Sequence, residues 1–360
     1  MSSATLILPG LGESRAAWPV RMRRFSVRAT CETTTAQGYE DALLQALGYP
    51  TAERQVPAAR CCFLADFNES ATLNCARADP VSLRADRDGA QLVPAELLDL
   101  SAEDTRQLLT TLNQHFAEDG LEFTAGRKQR WYVTGHPCQV LDAAPVNQVA
   151  GRAVAGFLPV ADESSPWRKL ASEVQMLLHE HPVNLSRQNR GLLPVNALWF
   201  WGAAALPDRA VAQSARLYSD AAYAVGLARL SGVTAFPFAE ASASLNKPVV
   251  DHKRGSRPLQ RNQLIVIDIA LLESILTQDA DRQHQALTKI DNELLAVAEQ
   301  ALWRGRLNEL VINTCDQQQY VLSRGRLCRF WRRPPSLAPS SEDPVSGLRT
   351  AARPGDLPPV

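Results

Sequence analysis

The chain has 360 residues, 45% of them hydrophobic, which is enough material for roughly two folded domains. Basic and acidic residues both number 38, so no net charge draws the protein to nucleic acid or to an anionic membrane. No apolar run approaches the ~20 residues that span a bilayer, and the N-terminus lacks the pattern of a secretory signal. The seven cysteines fit neither a disulfide framework nor a Cys-x-x-Cys zinc motif. We therefore expect a soluble cytoplasmic protein with reduced thiols.

The first half of the chain predicts short strands and helices in mixed order. Strands are predicted at residues 5–8, 79–86 and 130–133, and helices at about 39–47, 101–117 and 166–179. Ser101 is a suitable N-cap for its helix, with Asp104 in the first turn. Gly48 and Pro50 are typical helix-stop signals, and Arg87-Asp88-Gly89 predicts a turn after the strand. Residues 142–166 are expected to be mostly loop.

The second half predicts strands and helices in alternation. Strands are expected at 197–201, 264–269 and 309–313, and helices at about 210–218, 221–230 and 281–303. The continuous apolar runs of the last two strands are typical of strands that are buried on both faces. This alternation predicts an α/β fold with a mostly parallel sheet and helices on both faces. From Pro334 onward the chain is rich in proline, serine and charge, so residues 334–360 are expected to be disordered.

A segment at residues 179–202 combines the end of a helix, two arginines and a tryptophan-rich strand. His179 and His181 are two positions apart, whereas a metal pair on a helix needs a spacing of three or four residues. Histidines at a helix C-terminus more often complement the helix dipole, and we favour that role. We expect Arg187 and Arg190 to lie in a loop, where they either bind a phosphate or carboxylate or are simply solvated. The tryptophans are expected to pack in a core.

Spaced proline, asparagine, glycine and tryptophan residues give this segment a recognisable pattern. Its members are Pro182, Asn184, Arg187, Gly191, Pro194, Asn196, Trp199 and Gly202. Asp79, Arg84 and the stretch Leu47-Gly48-Tyr49-Pro50 add shorter matches. Together they resemble the archaeal-type cofactor-independent phosphoglycerate mutases of the alkaline phosphatase superfamily, and most closely a bacterial branch called RpfE-type regulatory proteins. The resemblance extends from Leu6 to about Phe330.

The resemblance implies an alkaline-phosphatase-like core with an inserted α+β cap domain. The core would comprise residues 1–74 and 191–333, and the cap residues 75–190. These enzymes hold two divalent metals with aspartate and histidine ligands near a serine or threonine nucleophile. Two such metals neutralise the phosphoryl oxygens and activate the nucleophile, so the loss of several ligands is expected to abolish the reaction.

The positions that match the family's catalytic residues are altered throughout this chain. Pro9 stands where the first metal-binding aspartate belongs, and Tyr39 or a close neighbour stands at the nucleophile. Residues 268–277, which match a His-x4-Asp-x3-His motif, contain Asp268 but no histidine. Asp316 keeps the aspartate of an Asp-His pair and is followed by Gln317, while Ala204 replaces a loop glycine. No histidine follows His284, so the final histidine ligand is missing whatever the alignment.

We therefore predict a pseudoenzyme with a regulatory or ligand-sensing role, no catalytic residues and no metal or other cofactor. The cleft between core and cap is expected to bind an anionic phosphorylated or carboxylated metabolite through Arg84, Arg130, Arg187, Arg190 and Asn196. A protein partner is equally open, but a nucleic acid or membrane partner is not expected. Two alternatives remain. One is a divergent manganese- or zinc-dependent mutase or phosphatase that uses the weak metal-site remnants Asp268 and Asp316, and the other is a scaffold without a ligand.

Overall fold

The structure is a computed structural model that describes residues 3–49, 56–68, 75–86, 89–135, 141, 143–157, 166–205, 215–246 and 263–328. The chain divides into two compact units. The first unit is formed by the described residues of 3–49 and 215–328, and the second by those of 56–205.

The chain passes from the first unit to the second after α2 and returns to the first unit at β8. The helices and strands before β8 are β1 (Ser3–Ile7), α1 (Val20–Arg28), β2 (Thr30–Gln37), α2 (Gly38–Ala46), α3 (Ala58–Phe67), β3 (Cys75–Asp86), β4 (Gly89–Val93), α4 (Ala102–His115), β5 (Glu122–Ala125), β6 (Trp131–Thr134), α5 (Val146–Val149), α6 (Pro166–His179), α7 (Pro182–Asn189) and β7 (Ala197–Trp201). The remainder are β8 (Arg216–Tyr218), α8 (Ala222–Ser231), β9 (Thr234–Phe236), α9 (Ala241–Asn246), β10 (Gln263–Ile267), α10 (Ala270–Leu276), α11 (Ala280–Lys289), α12 (Ala296–Trp303), β11 (Glu309–Asn313), β12 (Asp316–Ser323) and α13 (Arg324–Leu327). Single 3-10 turns occur at Arg15–Ala17, Ala95–Leu97, Arg127–Gln129, Val154–Gly156 and Phe238–Glu240.

The first unit is built on a mostly parallel sheet, as the alternation of strands and helices predicts. Within the described residues it has seven strands in the order β2-β12-β11-β1-β10-β8-β9. The five strands from β11 to β9 are parallel, while β12 and β2 add an antiparallel edge. The central strands β1 and β10 are apolar and buried on both faces because helices cover the sheet. The mixed α/β fold class is therefore confirmed.

One long helical segment follows this sheet. Residues 281–303 were predicted as a single helix, and the structure has α11, a π-helical segment at Ile290–Leu295 and α12 in direct succession. Asp279 caps its start by accepting a hydrogen bond from the backbone N–H of Arg282 at 2.9 Å. An apolar stripe at helical spacing faces the core, formed by Leu287, Ile290, Leu294, Ala298 and Leu302.

The second unit carries an antiparallel sheet of five strands within the part of the chain that the structure describes. Its long strand β3 pairs with β6, β7 and β4 along successive parts of its length. α4 begins as predicted, because Ser101 Oγ accepts a hydrogen bond from the backbone N–H of Asp104 at 3.0 Å. α6 also matches its prediction and buries Trp167, Leu170, Val174 and Leu178 at helical spacing.

Three structural expectations are wrong. The stretch around Arg187 and Arg190, expected to be a loop, is the helix α7, with Pro182 at its start. Residues 216–218, expected to end a helix, form strand β8. Strand β7 belongs to the second unit, since it pairs antiparallel with β3 rather than joining the parallel sheet.

The boundaries between the two units also differ from the predicted domain boundaries. They lie at 54/55 and at 206/207, whereas the sequence predicted them at 74/75 and 190/191. Helix α3 and strand β7 account for the difference, because both pack within the second unit. The turn residues Arg87 and Asp88, the first part of the helix predicted at 210–218 and the tail at 334–360 lie outside the described residues. No helix among the described residues is long and apolar enough to cross a membrane.

Candidate functional site

The carboxyl ends of the parallel strands form the natural place for a site in the first unit. Ligands in open α/β sheets bind beyond these ends, where the strands stop and loops begin. We call residues 8–12, 219–220, 268 and 313–316 the carboxyl edge. Its strand ends are held together by backbone hydrogen bonds, from Leu8 N to Asn313 O at 2.9 Å and from Asp268 N to Ile7 O at 3.3 Å.

Two glycines in the loop after β1 are packed too tightly to be replaced by residues with a side chain. Gly10 has a φ of +86°, and a Cβ there would lie 2.8 Å from the Cδ1 atom of Ile275. A Cβ on Gly12 would overlap the carboxylate of Asp316. Pro9 precedes this turn directly after the strand, and its side chain has no atom that could coordinate a metal. The first strand end therefore offers close backbone packing and no side-chain ligand.

Asp316 lies at the end of the turn that follows β11, and both of its carboxylate oxygens have partners. One oxygen forms an ion pair with Arg15 at 2.6 Å, and the other accepts a hydrogen bond from the Thr314 hydroxyl. The neighbouring Cys315 has a φ of 64°, and its N–H donates to the Asn313 side chain at 2.8 Å. Burial raises the pKa of the Cys315 thiol well above its ordinary value, with smaller contributions from Glu40 and Asp316. This thiol is therefore held in its protonated form.

Asp268 is the buried acid of the carboxyl edge. One oxygen accepts a hydrogen bond from the backbone N–H of Ala270 at 3.0 Å, and the other accepts none within the described part of the chain. The ammonium of Lys289 lies 3.8 Å from this second oxygen and 4.1 Å from the centre of the Phe238 ring. Burial is the largest cause that raises the pKa of Asp268, although Lys289 and the Ala270 N–H act in the opposite direction.

The residues of the carboxyl edge do not fit a two-metal centre. Such a centre needs several carboxylate and imidazole ligands that converge on each ion. Asp316 is occupied by Arg15 and Thr314, and the cation closest to Asp268 is a lysine. Among the described residues no group of three histidine, cysteine, aspartate or glutamate side chains could hold a metal ion.

Arg187, predicted to bind an anion, is instead a buried structural residue in the second unit. Its side chain is fully buried, and one guanidinium nitrogen pairs with the Asp104 carboxylate at 2.7 Å. Further N–H groups donate to backbone carbonyls of Asp99 at 3.3 Å, of Leu193 at 2.9 Å and of Leu98. A buried guanidinium must satisfy its donors within the protein, and this one does so. The guanidinium of Arg187 is therefore engaged inside the second unit and does not support the predicted role in anion binding.

Arg130 and Asn196 are also engaged inside the second unit. The Arg130 guanidinium binds the buried carboxylate of Asp66 through two nitrogens, and Tyr132 donates its hydroxyl to the same carboxylate at 2.6 Å. The amide of Asn196 bonds in both directions to the backbone of Leu83, at 2.7 Å and 2.9 Å. These contacts fix the sheet and its neighbouring helix, and they bring the two side chains to different partners.

Arg84 and Arg190 are the remaining residues that were predicted to bind an anion. Arg84 lies partly buried on β3, opposite Gln91 of β4. Arg190 has a half-exposed side chain and lies 3.7 Å from Asp104. His181 caps α7, because its Nδ1 accepts a hydrogen bond from the N–H of Val183 at 3.2 Å. His179 is exposed at the end of α6, so the two histidines do not converge on a common ligand.

Sequence reasoning missed several residues of the carboxyl edge. Ser219 and Asp220 directly follow β8, where Ser219 Oγ donates to the carbonyl of Ile267 at 3.2 Å and Asp220 accepts from the N–H of Phe238 at 3.2 Å. The assignment of residues 210–218 to a helix hid this strand end. Lys289 was missed because it lies on a helix far along the chain, and only tertiary packing brings it to Asp268.

Comparison with known proteins shows sequence similarity over part of the chain. No protein-family model matches the chain. The 2,3-bisphosphoglycerate-independent phosphoglycerate mutase of Methanosarcina barkeri (strain Fusaro / DSM 804) is 27% identical over 110 residues, which is 30% of this chain and 28% of that protein. The corresponding mutase 2 of Methanothermobacter thermautotrophicus (strain ATCC 29096 / DSM 1053 / JCM 10044 / NBRC 100330 / Delta H) is 28% identical over 112 residues, again 30% of this chain and 28% of that protein.

The aligned region thus spans less than a third of these relatives' length. Among solved structures, the cofactor-independent phosphoglycerate mutase of Thermoplasma acidophilum DSM 1728 aligns with 96% of this chain and 95% of its own, at 13% identity and a TM-score of 0.38. Over the aligned third of its length, the chain is similar in sequence to 2,3-bisphosphoglycerate-independent phosphoglycerate mutases, at low identity.

Proposed function

We propose that the chain is a phosphoglycerate-mutase-like protein that has lost two-metal phosphoryl transfer and has a regulatory or ligand-sensing role. The observation that carries the proposal is the carboxyl edge of the first unit. The two acids that remain there, Asp268 and Asp316, lie next to the side-chain cations of Lys289 and Arg15. A protein cation beside each carboxylate offsets the charge that would otherwise attract a divalent ion. Pro9 removes a further ligand position.

A regulatory role requires a ligand or partner, and an anionic metabolite remains the ligand that we propose. Arg190 supports it, because its half-exposed guanidinium is accessible to a phosphate or carboxylate in solution. Arg84 is retained as a second candidate in the same unit.

Asp268 favours one alternative, a divergent metal-dependent mutase or phosphatase. A buried carboxylate with a raised pKa and an oxygen that accepts no hydrogen bond from a described residue is typical of functional sites. In this alternative Asp268 and Asp316 would hold a manganese or zinc ion in place of the contacts to Lys289 and Arg15.

Turnover assays separate the two functions. Purified full-length protein is incubated with manganese or zinc, and the interconversion of phosphoglycerates and the hydrolysis of p-nitrophenyl phosphate are followed. We expect no turnover above that of a metal blank. Metal-dependent turnover that is lost in Asp268→Asn or Asp316→Asn, but kept in the surface variant Asp281→Asn, would establish the enzyme and overturn the proposal.

Thermal shift tests the ligand. We expect phosphoglycerates or sugar phosphates to raise the melting temperature without added metal, and Arg190→Gln to reduce the shift while Arg106→Gln leaves it unchanged. Arg106 is a suitable control, because it is an exposed arginine of α4 paired only with Glu103 among the described residues. The absence of any shift would contradict ligand sensing and favour a scaffold.

A further inference from the structure

A cavity of about 280 Å³ lies within the second unit, between α6 and the antiparallel sheet. Trp167, Trp199 and Phe200 contribute aromatic walls to it. All of its lining residues belong to the second unit, so the cavity is separate from the carboxyl edge.

Short side chains create this space. Alanines contribute to the lining from the sheet, from the loop before α5, from the 3-10 turn after α5 and from α6, namely Ala90, Ala143, Ala155, Ala171 and Ala197. An unfilled cavity destabilises a protein in proportion to its volume, and longer aliphatic side chains at these positions would close this one. The small side chains at these five positions therefore leave the space open.

The walls of the cavity are chemically apolar. The indole N–H of Trp199 donates to the carbonyl of Ala144 at 2.9 Å, so this polar group already has its partner. Valine, leucine and aromatic side chains form most of the remaining surface. Water is held poorly by such walls, because an ordered water needs several polar partners. An apolar ligand group is the better occupant.

Polar groups of the lining come from one face of α6. Arg168 and Gln175 lie one turn before and one turn after Ala171, and both are exposed to solvent. Arg168 makes no ion pair with a described residue. A guanidinium beside an apolar cavity is complementary to a ligand with an apolar body and a carboxylate end.

We propose that this cavity binds a small amphipathic carboxylate, with its alkyl chain against the apolar walls and its carboxylate at Arg168. A 150 Å³ apolar cavity is large enough for benzene, so the present volume suits an unbranched alkyl chain of medium length and excludes a peptide helix. The proposal does not depend on the loss of catalysis, since it concerns the other unit.

Titration with carboxylates of increasing chain length tests the site. Hexanoate, octanoate and decanoate are added below their micelle concentrations, and binding is followed by tryptophan fluorescence and calorimetry. We expect saturable binding that tightens about three- to fourfold per methylene until the cavity is full. Octanol, which has the chain but no charge, is expected to bind at least fivefold more weakly than octanoate.

Two variants locate the ligand. Ala171→Phe fills the cavity and is expected to weaken octanoate binding at least tenfold, whereas Ser172→Phe on the adjacent exposed position of α6 leaves it unchanged. Arg168→Gln is expected to lower the affinity for octanoate to that for octanol and to leave octanol binding unaltered. Circular dichroism and thermal unfolding establish that each variant is folded.

Specific results would overturn the proposal. These are no saturable octanoate binding by the wild type, equal affinities for octanoate and octanol, or Arg168→Gln and a folded Ala171→Phe variant that both bind octanoate like the wild type. A failure of this kind leaves the turnover test of the first unit and the thermal-shift test of Arg190 unaffected, because Asp268, Asp316 and Arg190 do not line the cavity.

Discussion

The two units use charged side chains in different ways. In the second unit, Arg187 with Asp104 and Arg130 with Asp66 form close pairs in which the carboxylate or the guanidinium is buried. In the first unit, Asp316 is paired with the partly exposed Arg15, and Lys289 stands farther from its acid than a hydrogen bond allows. An arginine in a sequence therefore indicates an anion site only once its carboxylate partners are known.

Burial explains why the ion pairs of the second unit are accompanied by further hydrogen bonds. A charge removed from water is stable only if its partner and its hydrogen bonds replace the lost solvation. Arg77 illustrates this, since it binds Asp79 and lies between the rings of Tyr132 and Trp201, with centroid distances of 5.4 Å and 5.2 Å. Trp201 in turn donates to Asp79 at 2.6 Å. The charges of this network are therefore compensated inside the second unit.

The largest expected effect comes from breaking one buried pair. Arg187→Met leaves the Asp104 carboxylate and several backbone carbonyls without their donor, and we expect the free energy of unfolding to fall by about 3–5 kcal/mol. The matched control is Arg190→Met at the C-cap of the same helix, with an expected loss below about 1 kcal/mol because Arg190 is half-exposed. Urea unfolding followed by circular dichroism measures both.

A double variant checks that this loss arises from the unpaired charge. Arg187→Met combined with Asp104→Leu removes both charges, so its loss should be clearly smaller than the sum of the two single losses. Strict additivity would mean that the pair is not coupled, and the contrast between the two units would lose its main support.

The success of sequence reasoning depended on which residues each element buries. Strands β10 and β11 were predicted because their apolar runs are buried in the sheet, and α6 because its apolar residues recur at helical spacing. Helix α7 was taken for a loop because two of its buried residues, Asn184 and Arg187, are polar and leave the hydrophobic periodicity weak. The carboxylate partner of Arg187, Asp104, is 83 positions away in sequence, which no local pattern reports.

The candidate site was predictable to a similar degree. Asp268 and Asp316 were named from the resemblance and do lie at strand ends in the first unit. The cations beside them could not be assigned, because Arg15 and Asp316 are 301 positions apart in sequence. Strand β12 was missed for a different reason, since it begins with the polar run Asp-Gln-Gln-Gln and pairs at the antiparallel edge of the sheet.

The second-largest expected effect is the pH dependence of stability that Asp268 gives to the first unit. Burial raises its pKa, so the native state keeps the proton to a higher pH than the unfolded state does. The contribution of Asp268 to the free energy of unfolding is complete below its pKa in the unfolded state, about 3.9. It is lost as the pH rises through its higher pKa in the native state. Asp268→Asn should lack this loss, whereas the exposed control Asp281→Asn should keep it. Parallel stability curves for wild type and Asp268→Asn between pH 4 and pH 7 would contradict the assignment.

A smaller dependence of opposite sign is expected from His181 in the second unit. Its Nδ1 accepts from the Val183 N–H, so the neutral ring carries its proton on Nε2, which lies 2.9 Å from the Thr111 hydroxyl. Burial lowers its pKa, so its contribution is present above the unfolded pKa of about 6.5 and is lost as the pH falls below it. His181→Asn keeps a capping oxygen and should remove this loss. If His179→Asn, on the exposed helix end, removed it instead, His181 would not be the titrating group.

The smallest expected effect concerns the partly exposed ion pair between Arg15 and Asp316 in the first unit. Arg15 and Asp316 are 2.6 Å apart, but their side chains keep 39% and 27% of their exposure, so water and salt screen the attraction. Arg15→Gln should therefore lower the free energy of unfolding by no more than about 1 kcal/mol, and by less at high salt. Urea unfolding at low and high ionic strength measures this change. A loss as large as that of Arg187→Met would mean that the acids of the carboxyl edge need their cations as strictly as the buried pairs do, and the distinction between the two units would not hold.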